Sequence, residues 1–126
     1  MLPSNSGLFK LRFRRAVTNK ITKIAASVTD DSWDNIGETN LKVVLSGLTF
    51  IREWPRLGTK TSVTDENYRQ RILGKSYLVH YYINDAKKIV YLLTLRHPRQ
   101  KPISFGTLRK YKKEMEKQEE EHENEG

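Results

Sequence analysis

The chain has no cysteine, which excludes disulfides and thiolate metal sites and suits a reducing compartment such as the cytoplasm, where it is expected to reside. Its three histidines, His80, His97 and His122, are too scattered to make a metal site without thiolates, and no metal or cofactor is expected. No apolar run approaches the ~20 residues that a membrane-spanning helix needs. The opening MLPSNSGLF has neither a charged n-region nor a long apolar segment, so a secretory leader is not expected. Acidic residues are scarce over most of the length. Residues 1–113 hold 22 Lys and Arg against 8 Asp and Glu, whereas residues 114–126 hold one Lys against 7 Glu. The body therefore carries +14 and the tail −6 within a net charge of +8. A body this basic attracts polyanions or an acidic protein partner. The same split raises the expectation that the acidic tail folds back and screens a basic site.

What is present supports one domain, since 126 residues suffice for a single core but not for two comfortable ones. Leu8 to Arg14 alternates, with Phe9, Leu11 and Phe13 on one face, and predicts a strand. From Arg15 to Val28 the period changes: Val17, Ile21, Ile24, Ala25 and Val28 make one helical face. Thr29 to Ser32 breaks that pattern and offers an N-cap for a second helix over about Trp33–Trp54, with Leu41, Val44, Leu45, Leu48 and Ile51 inward. Gly37 and Gly47 weaken that helix, and Pro55 ends it. Trp33 and Trp54 flank it as packing or hinge residues. After a polar loop over Thr59–Asp65, three β-type runs follow: Tyr68–Leu73, Ser76–Ile83 and Lys87–Arg96, separated by Gly74-Lys75 and Asn84-Asp85. The last run is apolar on both faces and belongs inside the sheet. The expected fold is α+β: an N-terminal strand, a helical hairpin, and a three-stranded antiparallel meander, forming one sheet covered by the helices. Residues 103–115 read as a basic helix, and 116–126 as a disordered acidic tail or fraying helix end. The expected organisation is a flexible 1–7, a domain over 8–102 and an extension over 103–126.

Three local patterns carry a family resemblance. They are Trp54-Pro55-Arg56-Leu57-Gly58; Tyr68-Arg69-Gln70-Arg71-Ile72-Leu73 followed by Gly74-Lys75-Ser76-Tyr77-Leu78-Val79-His80-Tyr81; and Leu95-Arg96-His97-Pro98-Arg99-Gln100. In this order, over about residues 8–102, the chain resembles the RelE/ParE superfamily of toxins from type II toxin–antitoxin systems, and within it the ParE-like, plasmid-stabilisation branch. The resemblance implies a strand–helix–helix–sheet order and neutralisation by a cognate antitoxin in a toxin–antitoxin hetero-oligomer. It implies DNA gyrase as the first candidate target, and ribosome-associated mRNA, cleaved as RelE-type members do, as the second. Thr94 and Pro98 stand where relatives often have Arg and Gly, which leaves open a degenerate toxin.

The candidate target- or anion-binding set is Arg69, Arg71, Arg96, Arg99 and Lys101, because guanidinium forks match phosphates and carboxylates. The alternative for these is a charged sheet edge that prevents aggregation. His97 and Tyr81 are the catalytic candidates if the chain is a nuclease, with Tyr68 and His80 as further proton-handling groups. For His97 a structural or surface role is favoured over a catalytic one, and His80 is expected on a packed face. The antitoxin-binding residues are not legible. A third function class is a non-toxic basic nucleic-acid-binding domain, which lacks a helix-turn-helix, RNP-type or zinc signature.

Overall fold

The computed structural model describes residues 8–27 and 36–125. The element order is β1 (Lys10–Phe13), α1 (Arg15–Ala26), α2 (Ile36–Glu53), a 3-10 turn (Pro55–Leu57), β2 (Thr59–Lys60), β3 (Tyr68–Leu73), β4 (Tyr77–Asn84), β5 (Ile89–Arg96) and α3 (Phe105–Glu125). The expected cap at residues 29–32, together with Val28 and Trp33, lies outside the described residues. Among the described residues no helix is long and apolar enough to cross a membrane.

The five strands form one sheet in the order β1-β5-β4-β3-β2. The meander β3–β4–β5 is antiparallel, whereas β1 pairs with β5 in parallel, from Lys10 opposite Ile89 to Phe13 opposite Leu92. The polar loop contributes a strand the alternation did not show: Thr59 and Lys60 pair with Gln70 and Arg69. Two residues are too few for a periodic signal.

α1 and α2 cover one face. Val17, Ile24, Val44, Leu48 and Ile51 meet Leu73, Val79, Tyr81, Ile83, Val90 and Leu92 there. Each such aliphatic side chain, fully buried, contributes about 1.5–3 kcal/mol. Leu45, expected on this face, is 48% exposed because it lies one helical step beyond Val44, at the flank of the stripe. Gly47 does more than weaken α2: a Cβ there would collide with the Leu73 side chain, so its absence lets the helix approach β3.

The other face is covered as well, by α3, which sequence periodicity showed only weakly. The helix runs from Phe105 through to Glu125 rather than fading after Met115. Leu108 and Met115 are buried against Tyr68, Ile89, Tyr91 and Leu93, with Phe105 edge-on to Tyr68 at 4.8 Å between ring centroids. A sheet covered on both faces explains why every residue of β5 from Ile89 to Leu95 is buried.

One irregularity sets side-chain direction. Between His80 and Tyr81 the register shifts: His80 opposes Thr94 but Tyr81 opposes Leu92, leaving Leu93 as an extra residue in β5. Simple alternation puts Ile89, Tyr91, Leu93 and Leu95 on one face; the bulge instead sends Leu95 into the hairpin-side core while Leu93 stays with α3. Arg14 fastens the site of the bulge. Its Nε donates to the Leu93 carbonyl at 2.7 Å, and its guanidinium lies 3.6 Å from the centroid of the Tyr111 ring of α3.

Candidate functional site

Strand register divides the candidate cations between the two faces of the sheet. Arg69 stands opposite Tyr81 and Arg71 opposite Val79, both members of the hairpin-side core, whereas Arg96 stands opposite Leu78 on the α3 side. The five residues therefore do not converge.

Arg69 is 8% exposed. Its Nε donates to the Glu66 carbonyl at 2.6 Å, and its Nη1 donates to the carbonyls of Arg56 and Gly58, each at 3.0 Å. The Tyr81 hydroxyl donates to the Pro55 carbonyl at 2.6 Å. A Cβ on Gly58 would strike that hydroxyl and approach the Gln70 carbonyl to 2.9 Å. Pro55-Arg56-Leu57-Gly58 and Tyr68-Arg69 are thus two halves of one fastening, which ties the turn after α2 to the sheet. Arg71 lies over the Phe50 ring at 4.1 Å and is half-buried.

At the exit of β5 the chain makes a compact hydrogen-bonded turn. The His97 amide donates to Gln100 Oε1 at 2.9 Å, the Gln100 amide donates to the His97 carbonyl at 3.1 Å, and the Arg99 amide donates to His97 Nδ1 at 3.0 Å. Arg96 Nη2 donates to the Lys101 carbonyl at 2.6 Å and braces the turn across its base. His97, Arg99 and Lys101 are exposed. Among the described residues none of Arg96, Arg99 and Lys101 makes an ion pair. Four neighbouring residues thus present three cations and a histidine, with no internal acid competing for them.

His80 and Thr94 underlie this turn on the α3 side, joined at 2.8 Å and both buried. Burial, and then the charge of Arg96, lowers the His80 pKa from 6.5 to about 4, so the ring is neutral at physiological pH.

The proton-handling candidates are likewise dispersed. Tyr81 sits on the hairpin face, away from His97, and burial pushes its hydroxyl up to about 12 despite Arg69 and Arg71 nearby. Burial, with Asp65 next, also raises Tyr68 to about 12. His97 Nδ1 already accepts a backbone N–H, so the neutral ring carries its proton on Nε2 and offers a donor to solvent rather than a base.

Glu119, in the acidic half of α3, meets the sheet elsewhere than at this turn. Glu119 accepts from Arg12 Nε at 3.2 Å, the Tyr91 hydroxyl at 2.9 Å and Lys87 Nζ at 3.5 Å. Burial works to raise the Glu119 pKa; the Tyr91 hydrogen bond, Arg12 and Lys87 outweigh it and hold the carboxyl below its usual range. Tyr91 and Arg96 are five residues apart on β5, about 17 Å along the strand. Sequence reasoning missed Glu119, since nothing in a run of glutamates marks which one meets the sheet.

The fold has a solved counterpart. A doubly arginine-to-alanine-substituted form of the E. coli toxin RelE, in the free state, matches 73% of this chain and 85% of its own with a TM-score of 0.51 at 15% identity. The chain has the RelE fold. The RelBE2 toxin–antitoxin complex from Mycobacterium tuberculosis also matches, over 71% of this chain and 98% of that one, at 16% identity and a TM-score of 0.47, too weak to carry more. No family model and no curated protein matches the sequence. Within the RelE fold, the turn at Arg96–Lys101 follows the last strand and leads into the C-terminal helix.

Proposed function

We propose that this chain is a toxin of the RelE/ParE superfamily, held inactive by a cognate antitoxin in a cytoplasmic hetero-oligomer, and that Arg96, His97, Arg99 and Lys101 dock its target. The observation that carries this reading is the RelE fold combined with an exposed cationic turn, free of internal ion pairs, at the exit of the last strand. An antitoxin segment rich in acid complements the +14 body. DNA gyrase is the favoured target. The supporting observation is geometric: the site offers exposed cations for a binding surface, while the Tyr81 hydroxyl is buried on the Pro55 carbonyl and His80 is neutral and buried. A second reading, mRNA cleavage, is favoured by the likeness to RelE itself. Arg71, over the Phe50 ring, and Arg69, which fastens the turn after α2, lie on the hairpin face and stay outside the proposed surface.

Expression of the chain alone in bacteria tests this. The expected outcome is growth arrest with DNA-damage signalling and intact mRNA, relieved by Arg96→Gln combined with Arg99→Gln. Cleaved mRNA would transfer the reading to the nuclease. Normal growth, with the protein folded and abundant, would sink the toxin reading.

A further inference from the structure

The outward face of α3 carries a row of cations, of which Arg109 also touches the core, 5.9 Å from the centroid of the Phe105 ring. Arg109, Lys113 and Lys117 recur every four residues, Lys110 lies beside them, and all four are exposed. The inward face is occupied: Leu108 and Met115 are buried, and Lys112 pairs with Glu116 at 3.2 Å while lying over the Tyr82 ring. Among the described residues, none of the four outward cations makes an ion pair, although Glu114 shares their face. Together with Gly106 and Glu114 they line an open groove of about 560 Å³.

We propose that this face of α3 is a docking surface for the phosphodiester backbone of nucleic acid. Helical rise puts successive members of the row about 6 Å apart and the whole row on a straight line of about 12 Å, a separation comparable to that of neighbouring phosphates on one strand. Leu108, Tyr111 and Met115 turn toward the sheet, and the aromatic ring at the head of the row, Phe105, is already engaged edge-on with Tyr68 and lies 5.9 Å from the Arg109 guanidinium. Beyond the engaged Phe105 ring and the stems of Arg and Lys, a protein segment would find no apolar pocket there, whereas protein interfaces depend on buried apolar anchors. A polyelectrolyte needs none, because release of its condensed counterions drives association with cations alone. The absence of stacking or base-edge contacts makes the docking independent of sequence. The inference stands apart from the toxin reading and survives its failure.

The test uses the full chain and a fluorescently labelled DNA duplex of about 20 base pairs, titrated between about 50 and 200 mM salt. The wild type is expected to bind with a steep salt dependence. Arg109→Gln/Lys113→Gln/Lys117→Gln is expected to flatten the slope of log K against log salt by about 2.7, and to weaken binding at least about tenfold at the lowest salt. Lys113→Gln alone should flatten it by about 0.9. Gln keeps helix propensity close to that of Lys and Arg, and unchanged circular dichroism verifies the fold. No duplex binding by the wild type, or unchanged slopes in both variants, would overturn the proposal. So would a loss confined to Arg96→Gln/Arg99→Gln/Lys101→Gln at the other basic site. Displacement of the duplex by polyglutamate at equal charge concentration would identify the face as a dock for acidic protein instead, and would also overturn it.

Discussion

At the scale of single residues, the same side-chain type does opposite work depending on which face of the sheet it occupies. Arg69 and Arg96 carry identical groups, yet one serves three carbonyls in the interior and the other braces an exposed turn. Arg69→Ala would leave those carbonyls without their charged donor, and hydrogen bonds to charged groups contribute about 1.5–3 kcal/mol each. It is therefore expected to lower stability by about 3 kcal/mol or more, read as a drop in the urea midpoint at unchanged slope. A loss of target action with stability intact would instead make Arg69 part of the site. His80 supplies a pH dependence. Its folded pKa, about 4, lies below the unfolded 6.5 because of burial first and Arg96 second. The unfolded chain then takes up a proton that the native ring refuses, so the contribution to stability is whole above pH 6.5 and is lost as pH falls toward 4. The full loss is about 3 kcal/mol. Melting temperatures from pH 7 to pH 4 should fall more steeply for the wild type than for His80→Gln; parallel curves would mean that the native ring protonates freely.

At the scale of elements, α3 is the revealing case. Its sequence is dominated by Lys and Glu, and only Phe105, Leu108, Tyr111 and Met115 mark an apolar stripe. Those four suffice because the sheet presents a waiting apolar face, and helices are stabilised mainly by such packing rather than by propensity. Leu108 is 3% exposed. Leu108→Ala is expected to cost about 2–4 kcal/mol, measurable as a lowered denaturant midpoint and as faster amide exchange throughout α3. Stability unchanged within about 0.5 kcal/mol would mean that the helix does not depend on its dock. α2 teaches the converse. Read alone, Gly47 is a defect worth about 1 kcal/mol; in place, it is the contact distance between α2 and Leu73.

At the scale of the whole molecule, charge and topology act together. The basic excess is legible from counting, and so is its separation from the acidic end. Of the acidic end expected to screen a basic site, Glu119 meets Arg12, Tyr91 and Lys87, near the start of β5. The turn at Arg96–Lys101 and the outward face of α3 are both open cationic surfaces. The growth assay addresses the first and the duplex titration the second.

Periodicity and turn chemistry, both local properties, were enough to specify α1, most of α2, the three strands of the meander and their places in the order, since each of those segments has one face to bury. The sequence by itself also determined that the last strand would lie inside the sheet and that the surface would be cationic. Only the tertiary structure decided which cations share a face. A one-residue bulge at Leu93 and the register of β3 against β4 turn Arg69 and Arg71 toward the hairpin and Arg96 away from it. Direction across a sheet alternates with every residue, so a side chain's destination depends on pairing between strands far apart in the chain, which no local pattern records.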